Sequence, residues 1–350
     1  MKKFMAILLC PLLFACAIAP RQLEGAPMTG SGPQQQESPL YMVLLDGHYG
    51  YMDRTGEIVI RPRFAFAMDF SEGLADVRIG KKFIFIDREG NPVFDSVFDS
   101  VGSFAEGMAP VKRGDRWGYI DKSGEMKIPV RYEGACEFSE GMAAVRQPRC
   151  DKWGFINREG ELAVAPQFAG FGRFREGLAP VLVKGPGSDR WGFIDKSGFY
   201  IIQPRFRNCD EFSEGLAAVQ TDDVWGYVDK KGRMAISPQY RRALSFREGL
   251  APVQQDGKWF YIDNTGNKLI EPPGIAESRS ENAPLGNYCE GMAAISIGGK
   301  WGFIAKNGRI IIKPQYESVG SFQDGLAQVL VEDKIGLIDK SGNYVWPPGQ

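Results

Sequence analysis

Short runs of apolar residues, four or five positions long, recur along the chain from residue 41 to its end. Within each run the apolar residues alternate with polar ones or cluster, which is typical of half-buried β-strands. Three runs make up one unit, for example the unit from Met108 to Gly141. They are a Leu/Met-Ala-x-Val run, a Trp-Gly-Phe/Tyr-Ile-Asp run and a run that precedes a proline. The pattern therefore predicts three short strands per unit.

The unit is repeated nine times between residues 41 and 350. Its tryptophan position, which other large apolar residues sometimes occupy, falls at Tyr49, Phe83, Trp117, Trp153, Trp191, Trp225, Trp259, Trp301 and Ile335. The successive intervals are 34, 34, 36, 38, 34, 34, 42 and 34 residues. Such a period predicts an all-β tandem array of short antiparallel units. Propeller blades usually need about 40–45 residues, so the spacing favours an open solenoid or superhelical array, with a closed β-propeller as the alternative.

Two glycine positions in the unit have different predicted roles. The Asp-x-x-Gly turn between the second and third strands keeps its glycine in all nine units, which predicts a positive φ angle there. The glycine after tryptophan is replaced by Ile84 and Phe260 in two units. A β-branched residue is strained at positive φ, so this glycine is expected to be extended and to leave room for a neighbouring strand or indole. A proline six residues after the turn glycine is expected to end the third strand.

A glutamate in the sequence Phe-x-Glu-Gly also recurs, at Glu72, Glu106, Glu140, Glu176, Glu214, Glu248 and Glu290, with Asp324 in the corresponding place. Glycoside hydrolysis needs two carboxylates in unlike environments, about 5–10 Å apart. One acid in the same place of every unit instead indicates a structural role. We expect these carboxylates to accept hydrogen bonds from turn amides.

The Trp-Gly-Phe/Tyr-Ile-Asp, Ile-x-Pro-x-Tyr/Phe and Phe-x-Glu-Gly-Leu-Ala motifs resemble the WG-repeat family, also described as KWG repeats. The resemblance covers nearly the whole of the chain after residue 40. Units depart from the pattern at Phe83-Ile84, Trp259-Phe260, Ile335-Gly336 and Ala305. The resemblance implies a β-rich repeat without established catalytic residues.

The N-terminus has the features of an export signal. Lys2 and Lys3 precede an apolar segment that is too short to span a bilayer, and Leu13 to Cys16 resemble a bacterial lipobox. We therefore expect residues 1–16 to be a lipoprotein signal peptide with lipidation at Cys16, residues 17–39 a flexible tether, and residues 40–350 the repeat array. This predicts a lipid-anchored bacterial envelope protein, in the outer membrane if the host is Gram-negative. Ordinary cleavage after Ala19 is the alternative, which would give a secreted or periplasmic protein.

Charge and ligand chemistry narrow the possible partners. The 42 basic and 43 acidic residues nearly cancel, so no basic field favours nucleic acid as a partner. His48 is the one histidine of the sequence, and a metal site or a His-dependent triad normally brings together several ligating or catalytic side chains. Neither kind of site is therefore expected. The internal cysteines lack C-x-x-C spacing and are interpreted as buried free thiols, although disulfides stay open because the sequence does not give distances: Cys136, Cys150, Cys209 and Cys289.

These features favour a non-catalytic scaffold that binds an envelope protein or polymer and needs no cofactor or metal. A cell-wall glycan-binding module that uses exposed aromatic residues is the alternative, although core packing is the more usual role of tryptophan in a β repeat. A hydrolase is the least favoured. The longest interval contains a polar, proline-rich insertion that could form a ligand-binding loop, with candidate residues Glu271, Arg279, Glu281 and Tyr288.

Overall fold

The computed structural model describes residues 38–275 and 283–349, and every described element is a β-strand. Nothing in these two ranges forms a helix of the length and apolar character that membrane crossing requires. The predicted signal peptide with Cys16, and the tether up to residue 37, lie outside the described residues.

The strands form nine small antiparallel sheets, called blades 1 to 9 here, in which each strand pairs with its neighbours in sequence. Strands of a complete blade are termed a, b, c and d in chain order. Blades 1 and 2 have three strands (b–d and a–c) and the other seven have four. The strands of the first three blades are, in blade 1, β1 Tyr41–Leu45, β2 His48–Met52 and β3 Ile58–Phe64; in blade 2, β4 Phe66–Ala67, β5 Ala75–Ile79 and β6 Lys82–Ile86; and in blade 3, β7 Ser100–Val101, β8 Met108–Arg113, β9 Arg116–Asp121 and β10 Met126–Tyr132. The next three blades contain, in blade 4, β11 Gly134–Ala135, β12 Ala143–Arg146, β13 Trp153–Ile156 and β14 Leu162–Phe168; in blade 5, β15 Gly170–Phe171, β16 Ala179–Val183, β17 Arg190–Ile194 and β18 Tyr200–Phe206; and in blade 6, β19 Asn208–Cys209, β20 Leu216–Thr221, β21 Val224–Asp229 and β22 Met234–Tyr240. The last three contain, in blade 7, β23 Arg242–Ala243, β24 Ala251–Gln255, β25 Lys258–Ile262 and β26 Lys268–Ile270; in blade 8, β27 Leu285–Cys289, β28 Met292–Ile297, β29 Lys300–Ala305 and β30 Ile310–Tyr316; and in blade 9, β31 Ser318–Val319, β32 Leu326–Val331, β33 Lys334–Asp339 and β34 Tyr344–Trp346.

The turn between strands c and d forms as the sequence predicts. In blade 3 one carboxylate oxygen of Asp121 accepts from the backbone amides of Ser123 and Glu125, at 2.9 and 3.1 Å. Gly124 follows with a φ of 82°. The equivalent glycine has a positive φ in all nine blades, between 79° and 91°, a region that costs glycine little. The predicted positive φ is therefore confirmed.

The glycine after tryptophan is required by the close approach of strand d. A Cβ atom on Gly192 would lie 2.6 Å from the carbonyl oxygen of Ile202 and 2.7 Å from the nitrogen of Pro204. Strand d carries two extra residues opposite this glycine, because Trp191 pairs with Phe206 while Phe193 pairs with Ile202. The expectation of an extended glycine that makes room for a strand is confirmed. The expected end of strand d at the proline is wrong, since Pro204 lies within β18, where the bulge and the free edge make its missing donor harmless.

The two units without this glycine also lack a full-length strand d. Blade 2 has Ile84 there, and only isolated bridges at Pro92 and Phe98 take the place of strand d. Blade 7 has Phe260, and its strand d, β26, is only three residues long. A side chain is thus tolerated where strand d does not bulge over the position.

Each blade packs on the one before it through its c–d turn. The Cβ position of Gly198 in blade 5 is 3.0 Å from Val164 of blade 4, and that of Gly342 in blade 9 is 3.4 Å from Ile312 of blade 8. Blade 1 follows the same rule with blade 9, because the Cβ position of Gly56 is 2.7 Å from the carbonyl oxygen of Val345. The first and last blades are therefore neighbours.

The hydrophobic core divides in the same way, into nine clusters that lie between successive blades. The cluster that closes the ring joins Val43 and Met52 of blade 1 to Leu326 and Leu337 of blade 9. The Tyr41 hydroxyl also donates to the carbonyl of Asp324, at 3.1 Å. The fold is thus a closed nine-bladed β-propeller. The all-β array of nine units is confirmed, and the preference for an open solenoid is corrected to the propeller alternative.

A period of 34 residues suffices for a blade because its fourth strand, a, is very short. This strand was missed in the sequence, since it is only two residues long in seven of the blades. It also needs almost no connection: a single residue separates the end of β3 at Phe64 from the start of β4 at Phe66. Strands d and a are therefore nearly continuous, and the chain passes to the next blade without a loop except after blades 2 and 7.

Candidate functional site

The recurring glutamates bind the blades to one another, as their regular recurrence predicts. In blade 4 the Glu140 carboxylate accepts from the amide of Gly177 in blade 5, at 2.8 Å. Glu72, Glu106, Glu176, Glu214, Glu248 and Glu290 make the same contact, in each case with a turn of the next blade. Five of the seven also pair with a lysine from the c–d turn of that next blade, as in Lys306–Glu248 at 3.0 Å. These carboxylates are therefore all used in contacts between neighbouring blades.

The tryptophans are largely used in packing between blades. The ring centroids of Trp153 and of Phe171 in the next blade are 4.5 Å apart. The same indole covers Gly134, in strand a of blade 4. The guanidinium of Arg146 lies over the same indole, at 5.4 Å. The other tryptophans of this position are also half-buried, except Trp259, which is 2% exposed. Core packing is thus their main role.

The segments that join strands a and b face the axis of the ring. Burial raises the pKa of Asp76 in blade 2 to about 6, and Glu137 of blade 4 contributes to that rise. Burial also lowers the pKa of Arg247 in blade 7, with a contribution from Arg175 of blade 5. The segments of successive blades also contact one another directly, as in the hydrogen bond from Arg173 of blade 5 to Glu137 of blade 4 at 2.6 Å, so together they form one continuous surface. We call the surface formed by these segments the axial surface.

One position of the axial surface changes from blade to blade. It is the second residue after strand a, and it is occupied in turn by Asp69, Ser103, Glu137, Arg173, Glu211, Ser245, Asn287 and Ser321, with Asn287 inside the longer strand of blade 8. In blades 2 to 7 and in blade 9 the preceding residue donates the same backbone hydrogen bond to strand b, so the backbone does not dictate the side chain here. Positions of this kind are free to serve recognition.

The varied position carries a charged residue in three successive blades, 4 to 6, and otherwise only in blade 2, as Asp69. The Arg173 guanidinium donates to Glu137 at 2.6 Å, and its backbone amide donates to Glu211 at 2.7 Å. Arg175 adds an ion pair with Glu211 at 3.6 Å. The corresponding residues of blades 8 and 9, Asn287 and Ser321, are uncharged. The surface therefore has a charged sector and a neutral sector, which a symmetric repeat does not require.

Two buried carboxylates lie beside the charged sector. Asp76 accepts from the Ser103 hydroxyl at 3.0 Å, and Asp210 accepts from the Ser245 hydroxyl at 3.2 Å. Burial raises the pKa of Asp210 to about 6, as it does that of Asp76. Sequence reasoning missed both residues, because an aspartate at one repeat gives no signal of its burial.

The remaining candidate chemistry is sparse within the described ranges. There, no three His, Cys, Asp or Glu side chains are placed to hold a metal ion. His48 is exposed, and its Nδ1 lies 3.0 Å from the carbonyl oxygen of Asp46. Cys136, Cys150 and Cys209 are free thiols and are all half-buried. Cys289 is buried at the end of β27 and is not a free thiol, so the expectation of one fails there.

Of the four candidate residues of the insertion, the structure describes Glu271 and Tyr288. Glu271 is exposed after β26 and pairs with Lys268. Arg279 and Glu281 lie outside the described residues. Tyr288 is 1% exposed in β27, and its hydroxyl donates to the carbonyl of Ala305 at 3.1 Å. Tyr288 is therefore a core residue, which corrects its assignment to an exposed binding loop.

Comparisons with known proteins agree with this architecture. The family described as "WG containing repeat" matches residues 49–83, 85–117, 117–147, 153–185, 191–225, 225–259 and 301–334, which is more than half of the chain. No curated protein matches the sequence.

Solved structures of similar fold have low sequence identity. A eukaryotic initiation factor is 10% identical over 88% of this chain and 95% of its own, with a TM-score of 0.60. A dihydro-heme d1 dehydrogenase (12% identity, 93% and 76% coverage, TM-score 0.45) and virginiamycin B lyase from Staphylococcus aureus (12%, 69% and 91%, TM-score 0.35) also match. The likeness to the initiation factor is one of fold alone.

Proposed function

Because the chain belongs to the WG-containing repeat family and forms a closed β-propeller scaffold, we propose that it is a non-catalytic binding protein of the bacterial envelope. Its partner is an envelope protein or polymer that contacts the axial surface. The observation that carries the proposal is the varied axial position, where the charges of Glu137, Arg173 and Glu211 are not required by the repeat. Propellers and other repeat folds commonly bind partners through such surfaces.

The proposal includes anchoring through Cys16. The support is the apolar N-terminal segment followed by the Leu13 to Cys16 sequence. Replacement of Cys16 by alanine should move the protein from the membrane fraction to the soluble fraction of the native host. An unchanged membrane fraction would count against a lipid anchor, because the thiol of Cys16 is the group that would carry the lipid.

Binding at the axial surface can be tested with a variant that the fold already tolerates. Glu137, Arg173 and Glu211 would be changed together to serine, the residue found at the same position in blades 3, 7 and 9. Immobilised wild-type and variant protein would be exposed to solubilised envelope from the native host. We expect a species that the wild type retains and the variant does not, since the charged sector has been removed.

A matched control changes the same charges away from the axis. The exposed turn residues Glu89, Lys231 and Glu159 would be changed to serine, which also occurs naturally at this turn position in other blades. The control should retain the species as the wild type does. Equal retention by the axial variant, or equal loss in the control, would refute recognition by the axial surface.

A further inference from the structure

A cavity of about 420 Å³ lies between blades 6 and 7, next to the start of blade 8. Two indoles form its walls: Trp225 from strand c of blade 6 and Trp259 from strand c of blade 7. Among the described residues, the apolar side chains of Ala243, Leu244 and Ala283 also line it. Cavities of 300–1,000 Å³ with mostly apolar walls and a few polar groups are typical of small-molecule sites.

The cavity occurs where the repeat pattern is broken twice. Blade 7 has Phe260 in place of the glycine after tryptophan, and the longest interval, 42 residues, follows Trp259. The short strand d, β26, leaves space that Ala283, at the end of the insertion, partly covers. Trp259 is consequently 2% exposed, whereas the other tryptophans of its register are half-buried. The cavity is therefore a special feature of this blade pair.

Three polar groups line the cavity, and they differ in whether they make hydrogen bonds within the protein. The Nε1 donor of Trp259 has no acceptor among residues 38–275 and 283–349, and an unsatisfied buried donor is costly. Within the same ranges the Arg242 side chain makes no hydrogen bond or ion pair, not even with Asp210, which also lines the cavity. One oxygen of the Asp210 carboxylate accepts from Ser245 at 3.2 Å, which leaves the other oxygen free to accept. The Trp259 Nε1 is buried below the cavity surface, so the lining offers a ligand one cationic donor, Arg242, and one separate carboxylate, Asp210.

We propose that this cavity binds a free α-amino acid with an apolar side chain. The ligand carboxylate receives hydrogen bonds from the Arg242 guanidinium, and the ligand ammonium group faces Asp210. The apolar side chain packs against the half-buried indole of Trp225. A ligand that carries only one of the two charges leaves either Arg242 or Asp210 without its partner, so the zwitterion fits the charge pattern best.

The test is titration calorimetry of the full-length protein with phenylalanine as the probe. We expect saturable binding of phenylalanine, and binding at least about tenfold weaker for both N-acetylphenylalanine and phenylalanine amide, because each lacks one charge. Arg242→Gln should weaken phenylalanine binding by about tenfold or more, while Arg241→Gln, at the adjacent exposed arginine, should leave it unchanged. No heat with phenylalanine at millimolar concentration would overturn the proposal, as would equal binding of its two blocked forms.

Two further variants assign the roles of the other groups. Asp210→Asn should weaken binding of phenylalanine but not the residual binding of N-acetylphenylalanine, which has no ammonium group. Trp225→Leu removes the aromatic wall and should weaken phenylalanine binding about fivefold or more, with Trp301→Leu as the matched control. Equal loss for both ligands in Asp210→Asn would overturn the assignment of the ammonium group. The axial serine variant keeps this cavity, so the proposed partner binding and the amino-acid site can fail independently.

Discussion

Replacement of Asp76 by asparagine should stabilise the protein at neutral pH. Asp76 is 3% exposed, and burial is the main cause that raises the pKa of its carboxyl group from 3.8 to about 6. The difference of about two pH units corresponds to about 3 kcal/mol, at about 1.36 kcal/mol per unit. Asparagine keeps an oxygen that can accept from the Ser103 hydroxyl, and it removes the charge that is costly to bury.

The sign of the pH dependence follows from the direction of the shift. The folded state binds the Asp76 proton more tightly than the unfolded state, so the free energy of unfolding decreases as pH rises from about 4 to about 6. Below pH 4 the group is protonated in both states and the cost disappears. Asp76→Asn should therefore raise the free energy of unfolding by up to about 3 kcal/mol at pH 7, and by much less at pH 4.

Urea unfolding followed by tryptophan fluorescence at pH 4, 5, 6, 7 and 8 would measure this effect. Asp121→Asn is the matched control, because hydrogen bonds hold the pKa of Asp121 low, at about 2, and Asn157 naturally occupies the equivalent turn position. The control should not gain stability as pH rises. If Asp76→Asn were no more stable than the wild type at pH 7, burial of the charge would not be the cause. The same would follow if the free energy of unfolding of the variant fell between pH 4 and 6 as steeply as that of the wild type.

Three other substitutions test the contacts that define the blade, each by the midpoint of urea unfolding. Gly192→Ala should cost about 1–3 kcal/mol because its Cβ would collide with strand d, whereas Gly187→Ala, with no atom within 4 Å, should be nearly neutral; equal effects would contradict the steric argument. Glu140→Ala should cost about 1.5 kcal/mol through the loss of its bond to the next blade's turn, and an unchanged midpoint would argue against a structural role. Tyr227→Phe should cost about 1 kcal/mol, since its hydroxyl donates to the Leu244 carbonyl at 2.8 Å, and no loss would mean that water replaces this bond.

The structural roles of repeated residues could be read from the sequence because repetition exposes them. Glycine in all nine c–d turns indicated a positive φ, and the replacement of the other glycine by Ile84 indicated an extended backbone. The glutamates were interpreted as acceptors for turn amides for the same reason. The sequence did not show that the acceptor and donor lie in different blades, since Glu140 and Gly177 are 37 residues apart.

Residues outside the repeat could not be placed in the same way. Tyr288 was assigned to an exposed loop because the sequence around it is polar, but it begins the repeated Phe-x-Glu-Gly motif in a variant form and is buried. Asp76 and Asp210 carried no signal, because the environment that shifts their pKa values comes from other blades. The cavity between Trp225 and Trp259 likewise needs three blades to form.

The sequence by itself determined the all-β class, the nine units, the turn chemistry and the family, because these depend on residues close together in the chain. Only the tertiary structure decided that the array closes. Closure depends on the small angle between successive blades and on whether Gly56 of the first blade meets Val345 of the last. That angle is set by side-chain packing summed over nine interfaces, and a local pattern that recurs at nearly regular intervals is compatible with both an open and a closed arrangement.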